Sequence, residues 1–412
     1  MNICQAEAMA IPHASGIFQA VVFSPPYWGL RTYQTGDNKH LELGSERLHD
    51  CLGWATGRNC EECFICHVRQ YMREIWRVLR DDGVCWVNIA DSYAGGNKGR
   101  GGGGLKSLKQ LSNPGAYFDN PNKSKRIPRG NGRWGGGNSP ASGYLKPKDL
   151  CLIPERLALA LQVDGWWVRA PVIWHKPNPM PGSQQDRPTI DYEFIWMLTK
   201  SSRYYFDMNA VMENGSGRKS GLKTYKYNGL PGHDTKQGFL DASETEWHSR
   251  VMRAVWTIPT QPYSGSHYAT YPEELVVRCL KASTSERGAC PKCGSPWKRI
   301  IEKTGGTIGK GGWSLHEADA EKGRSERSGS LSLEGHLWDN GSYSVNTLGW
   351  QPTCKCGIDT TVPCKVYDPF VGSGTTIIAA HRLGLAGFGS DLSLQYLSDN
   401  ARQRIDQDAP RF

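Results

Sequence analysis

At 412 residues the chain can bury a large core but is long for one domain, so a main domain with substantial insertions or a second lobe is expected. No apolar run is long enough to span a bilayer and the first residues lack the apolar centre of a secretory signal; these features argue against membrane and exported classes and set the expectation of a cytoplasmic protein. Thirteen cysteines in a reducing compartment then point to metal ligands or buried thiols before disulfides, a net charge of +9 favours a polyanionic partner, and 48 glycines suggest long loops.

The first strand candidate, within residues 2–8, ends near Glu7. The next, Phe18 to Val22, is an apolar run rich in β-branched and aromatic residues, and it must stop at Ser24 because Pro25 and Pro26 can continue neither strand nor helix. Two fixed φ angles make Ser24-Pro25-Pro26-Tyr27 a rigid loop that can hold a hydroxyl, carbonyls and an aromatic ring at the carboxyl edge of a sheet. A plain strand-ending turn is the bland alternative. Cys51, Cys60, Cys63 and Cys66 supply four thiolates, enough for a closed tetrahedral zinc site, against the alternative of merely buried thiols. Apolar residues at 68, 71, 72, 75, 76 and 79 predict a core-facing helix from Val68 to Leu79, ended by Gly83 before a strand from Val84 to Ile89.

Residues 94–148 carry glycine runs and many lysines and arginines, with Asp119 the single acid. Such a segment cannot bury enough apolar surface to order itself and suits a phosphate backbone; a solvated linker is the alternative. The core resumes with a helix from Glu155 to Val163 and strands over Trp166–Trp174 and Tyr192–Thr199. Interleaved basic and aromatic residues over 201–258 suit nucleic-acid contact, or alternatively a small α/β cap. A helix from Glu273 to Lys281 precedes the knuckle Cys290-Pro291-Lys292-Cys293-Gly294, whose complement is Cys354-Lys355-Cys356-Gly357, a second candidate zinc site. Finally Val366-Tyr367-Asp368 is a strand closed by an acid, Pro369 to Thr376 a glycine loop, Ile377 to Leu383 a helix, and Ala386 to Asp391 a second strand closed by an acid. That is where nucleotide-binding α/β folds grip ribose.

Ser24-Pro25-Pro26-Tyr27 near one end, with Asp368-Pro369-Phe370-Val371-Gly372-Ser373-Gly374-Thr375-Thr376 near the other, resembles the amino-methylating DNA methyltransferases in their permuted, beta-class-like order. Arg80 to Tyr93, Trp174 to Pro181 and His267 to Leu275 extend the resemblance over most of the chain. It implies an α/β, Rossmann-like, mostly parallel sheet with one antiparallel strand, a circularly permuted motif order, and inserted loops and zinc-binding elements. The segments are then 1–93, the catalytic-loop half of the core; 94–148, the basic insert; 149–200, core; 201–258, target recognition; 259–289, the cofactor-side helix; 290–357, the zinc-knuckle insert; and 358–412, the cofactor half.

The resemblance further implies S-adenosylmethionine as cofactor and double-stranded DNA as partner, in the cytoplasm of a bacterium or of a phage's host, and it allows for a cognate restriction endonuclease. Asp368 would lie near the methionine end of the cofactor, Phe370 near its adenine or methyl group and Asp391 at the ribose. Gly372, Ser373, Gly374, Thr375, His267 and Thr270 join the cofactor side. Glu7 matches an acidic residue near adenosine, although family members more often have aspartate preceded by glycine. Ser24 and the Pro25 carbonyl would accept the two hydrogens of an exocyclic amine, Pro26 would stiffen the loop, and Tyr27 would stack on a flipped-out base. Serine at the first position resembles enzymes acting on N4 of cytosine, with N6 of adenine as runner-up. Methylation of carbon 5 needs a cysteine nucleophile downstream of the cofactor site, whereas the one Pro-Cys pair, Pro363-Cys364, lies just upstream of the cofactor strand. The rivals are a zinc-containing DNA-binding module without catalysis and, more weakly, a dehydrogenase, for which Gly387-x-Gly389 lacks the full spacing.

Overall fold

The computed structural model describes residues 3–28, 43–44, 46, 51–60, 62–94, 145–146, 148–179, 184–214, 249–261, 270–304 and 344–408. The basic insert between 95 and 144, the centre of the expected recognition stretch at 215–248, His267 and residues 305–343 therefore lie outside the described residues.

The main unit comprises residues 1–207, 254–298 and 352–412. Among the described residues its sheet has eight strands, β1 (Ile3–Gln5), β2 (Phe18–Phe23), β3 (Leu79–Ile89), β4 (Trp167–His175), β5 (Tyr192–Thr199), β8 (Val255–Thr257), β11 (Lys365–Asp368) and β12 (Ala386–Asp391), in the order β1-β12-β11-β2-β3-β5-β4-β8. All neighbours pair in parallel except at β5, which is antiparallel to both β3 and β4. This is the mostly parallel α/β sheet with one reversed strand expected from the sequence, in the permuted order. The carboxyl ends of all the strands but β5 share one edge, and the amino end of β5 joins them there.

Every residue of β2 is buried, as a central strand covered on both faces requires. Helix α1 (Phe64–Val78) lays Val68, Tyr71, Met72, Ile75 and Val78 into the core, the four aliphatic side chains among them each contributing roughly 1.5 to 3 kcal/mol on burial. It begins four residues earlier than its apolar stripe predicts, because Cys63 caps it: the Cys63 Sγ accepts from the Cys66 amide. Nor does Gly83 end it. Leu79 already opens β3, and a Cβ at Gly83 would stand 2.7 Å from Leu79 Cδ1 and 3.0 Å from the Gln19 carbonyl oxygen, so glycine is needed for β3 to lie close to β2. Helix α2 (Ile153–Val163) starts with Pro154 in its first turn. Helix α3 (Glu273–Ser283) has Glu273 and Glu274 at its positive end and Lys281 at its negative one. Helix α4 (Thr375–Arg382) follows the glycine loop, and residues 394–408 form a further helical run with a π turn in the middle that sequence periodicity did not mark.

The second compact unit comprises 208–253 and 299–351. In it β6 (Glu213–Asn214) pairs with β7 (Ser249–Arg250), and Glu213 accepts from Arg250 Nε and Arg253 Nε at 2.9 and 2.8 Å. Strands β9 (Lys298–Thr304) and β10 (Ser344–Gln351) form a two-stranded sheet. The unit boundaries thus cut across two expected segments: 254–258, within 201–258, contains β8 of the main sheet, and both halves of the second cysteine cluster belong to the main unit.

Candidate active site and metal centres

The end of β2 delivers the Pro-Pro loop to the sheet's carboxyl edge. Ser24 Oγ donates to the Tyr27 hydroxyl at 3.1 Å. That hydroxyl lies 3.0 Å from Asn88 Oδ1 and 2.7 Å from Glu193 Oε2, and it donates toward them. Asn88, at the end of β3, donates from Nδ2 to Glu193 Oε2 (3.0 Å) and to the Phe194 carbonyl (3.1 Å). Lys176, just past the end of β4, pairs with Glu193 Oε1 and lies over the Trp174 ring at 4.4 Å. The loop is braced on its other flank. Trp28 Nε1 donates to the Glu46 carbonyl (2.7 Å), Glu46 Oε1 lies 3.0 Å from His67 Nδ1, and Gly44, at φ +98°, comes so near the Tyr27 carbonyl that a Cβ would sit 3.0 Å from it.

The end of β11 delivers Asp368, which is 1% exposed. Its Oδ2 accepts from Thr376 Oγ1 at 2.6 Å and from the Tyr271 hydroxyl at 3.1 Å, and its Oδ1 accepts from the Phe370 amide at 2.9 Å. Burial pushes its carboxyl up to about 6 against the pull of these donors. Asp391, at the end of β12, ties the glycine loop to that strand: Oδ2 accepts from Gly372 N (2.9 Å) and Oδ1 from Ser393 N (3.0 Å), while burial raises its carboxyl. Gly372 and Gly374 take φ of +50° and +83°, backbone that suits glycine. Ser373 and Thr375 are held from below, since Arg404 donates to the Ser373 carbonyl at 2.6 Å and to Thr375 Oγ1 at 3.3 Å.

The two motifs, 344 residues apart from Ser24 to Asp368, meet at this edge. Phe370 stands 5.7 Å from Phe23 and 5.2 Å from Tyr71, ring centre to ring centre. Thr376 Oγ1 is also 3.4 Å from the Val22 carbonyl. Glu7 follows β1, whose Gln5 pairs with Asp391, so it too lies at the carboxyl edge. Thr270 is half-buried just before α3. Sequence reading missed Asn88, Glu193 and the hydroxyls of Tyr271 and Thr376; a lone carboxylate at the second position of an apolar strand was the one available signal for Glu193.

Each cysteine set gathers four thiols within 4.8 Å of one another. In the first, Cys51 and Cys66 are 3.9 Å apart, and Cys60 Sγ and Cys63 Sγ accept amides three residues on, the turn that presents sulfur to a metal. A Zn–S bond of about 2.3 Å in a tetrahedron puts sulfurs about 3.8 Å apart. The second set, Cys290, Cys293, Cys354 and Cys356, sits at the opposite end of the sheet. Gln19, near the start of β2, donates to the Gly294 carbonyl at 2.7 Å, and Arg80, near the start of β3, donates to the Cys293 carbonyl and to Ser295 Oγ.

The DNA methylase family, N6_N4_Mtase, matches residues 18–290. The Type II methyltransferase M.Cfr9I of Citrobacter freundii is 36% identical over 274 residues, 66% of this chain and 67% of that protein. M.XycI of Xanthomonas campestris pv. cyanopsidis is 35% identical over 270 residues, 66% of this chain and 67% of its own length. M.SmaI of Serratia marcescens is 33% identical over 275 residues, 66% and 71% of the two chains.

Proposed function

The chain belongs to the N6/N4 family of DNA methylases, and we propose that within it this protein methylates the exocyclic N4 of a flipped-out cytosine in double-stranded DNA, with S-adenosylmethionine as methyl donor. The observation that carries this reading is Ser24: a hydroxyl on a Pro-Pro loop at the carboxyl edge, directly after Phe23, whose ring packs against Phe370. An amine conjugated to a ring is a poor nucleophile because its lone pair is delocalised. Ser24 Oγ and the Pro25 carbonyl accept its two hydrogens, which draws nitrogen toward tetrahedral geometry and aims the lone pair outward. Tyr27 offers a ring for stacking, and alignment supplies much of the acceleration.

The bound cofactor supplies an electrophilic methyl carbon on a sulfonium. Its other groups suit the residues here: Asp368 is a buried carboxylate whose donors are hydroxyls and an amide, a match for an ammonium, and Asp391 and Glu7, both at the carboxyl edge of the sheet, would take the ribose and the adenosine end. Carbon-5 chemistry lacks support, since Cys364 is buried before the start of β11, at the far end of the sheet, with its thiol pushed up to about 11.

Zinc at both cysteine clusters completes the proposal, as a structural ion with four thiolates and no open position. The relatives' Type II designation supports pairing with a restriction endonuclease. The test is mass spectrometry of nucleosides from DNA incubated with protein and methyl-labelled cofactor. Label in N4-methylcytosine is expected; label in N6-methyladenine overturns the base assignment, and label in 5-methylcytosine overturns the chemistry as well.

A further inference from the structure

A serine hydroxyl can donate or accept, so Ser24 alone does not settle which it offers to a base. Glu193 does. Its carboxylate, paired with Lys176, accepts and does not donate. Because Asn88 Nδ2 is committed to Glu193 Oε2 and the Phe194 carbonyl, Asn88 turns its own oxygen toward Tyr27. The Tyr27 hydroxyl therefore faces two acceptors and must donate its single hydrogen inward. Its oxygen is left to accept from Ser24 Oγ, and the serine hydrogen points away from the substrate side. What Ser24 then presents to a ligand is lone pairs.

We propose that Glu193 is a positioning residue that fixes the direction of the chain from Ser24 through Tyr27, making the serine an obligate acceptor and so selecting bases that present an amine. This rests on the reading that the Ser24 loop receives the target amine. Glu193→Gln is nearly isosteric but brings an amide that can donate to Tyr27, which lets the chain reverse and turns the serine hydrogen toward the amine. Tyr27→Phe cuts the chain and leaves no charge unpaired.

The experiment is a double-mutant cycle of Glu193→Gln and Tyr27→Phe, reading kcat and KM for labelled methyl transfer to plasmid DNA, with affinity for S-adenosylmethionine by calorimetry. Each single change should lower kcat roughly tenfold to a hundredfold, as expected for one hydrogen bond to a charged group. Cofactor affinity should stay at the wild-type value. The double variant should be no slower than the slower single one, because both changes break one chain. Losses that multiply mean that Glu193 acts independently of Tyr27, and they overturn the proposal. If Glu193→Gln does not fold, Tyr27→Phe decides alone: a tenfold or greater loss of kcat supports the chain, and wild-type kcat overturns it. Wild-type protein that labels no exocyclic amine overturns the underlying reading, a separate outcome seen before any variant is made.

Discussion

Asp368→Asn separates what the buried acid costs the fold from what it contributes to binding. An acid whose ordinary value is 3.8 and whose folded value is about 6 makes the folded chain about 3 kcal/mol less stable once ionised, at 1.36 kcal/mol per tenfold. The sign follows from proton counting. Between about pH 4 and pH 6 the folded chain holds this proton while the unfolded chain has released it, so the contribution to stability falls as pH rises through that window. Above it the full penalty persists. An amide carries no such penalty, and any hydrogen bond it makes less well is a loss independent of pH. Urea unfolding of wild type and Asp368→Asn from pH 4 to pH 8 should therefore give a difference that moves in the variant's favour by about 3 kcal/mol across the window. A difference that stays flat with pH would refute the burial argument. In return, calorimetry should show the variant binding S-adenosylmethionine more weakly, and wild-type affinity should fall as pH drops below about 6 and the carboxylate is protonated.

Protein purified without chelator should carry close to two zinc ions per chain by elemental analysis, one per cluster, and none would refute both sites. Cys293→Ser should lose one ion and lower the melting temperature, with turnover per folded molecule retained because that cluster sits at the far end of the sheet. Gly389→Ala would place a Cβ 2.1 Å from Val371 Cγ2 and 3.1 Å from the Asp368 carbonyl; overpacking of this kind typically costs about 1 to 3 kcal/mol, so an unchanged melting temperature would count against the packing described. Arg69 and Asp164, 1% and 8% exposed, join α1 to the end of α2, and Arg69 also donates to the Arg58 carbonyl; Asp164→Asn removes the charge partner of a buried guanidinium and should cost about 3 to 5 kcal/mol by urea unfolding, and a loss below about 1 kcal/mol would mean that the Arg58 carbonyl and its surroundings hold Arg69 without the ion pair.

The central strands were legible because burial on both faces writes itself as an unbroken apolar run, as in Phe18 to Phe23, and because Pro25 and Pro26 allow no continuation. The α1 stripe and the short steps within each cysteine pair, Cys60 to Cys63, Cys290 to Cys293 and Cys354 to Cys356, were legible because each is local. What escaped is what depends on a distant neighbour. The start of α1 is set by the Cys63 cap rather than by apolar spacing. Strand β8 has three residues, with Val255 56% exposed, and it exists by pairing with β4. Gly387 and Gly389 look like a broken dinucleotide pattern in sequence, yet in the fold they make room: a Cβ at Gly387 would stand 3.1 Å from Ile377 Cγ2 of α4.

The reversed strand is where this limit bears on function. Were β5 parallel to its neighbours, its second residue would lie at the amino edge, and the six residue steps to Thr199 at about 3.3 Å each would hold Glu193 roughly 20 Å from the Pro-Pro loop. Run antiparallel, with Glu193 opposite Trp174 of β4, the same residue meets the ends of β2, β3 and β4 at once and can be held by Lys176 and Asn88 while it orients Tyr27. The serine and both prolines can be read from four letters of sequence. Whether that serine accepts or donates is decided by a carboxylate 169 positions away from it, which reaches the loop because one strand of the sheet runs the other way.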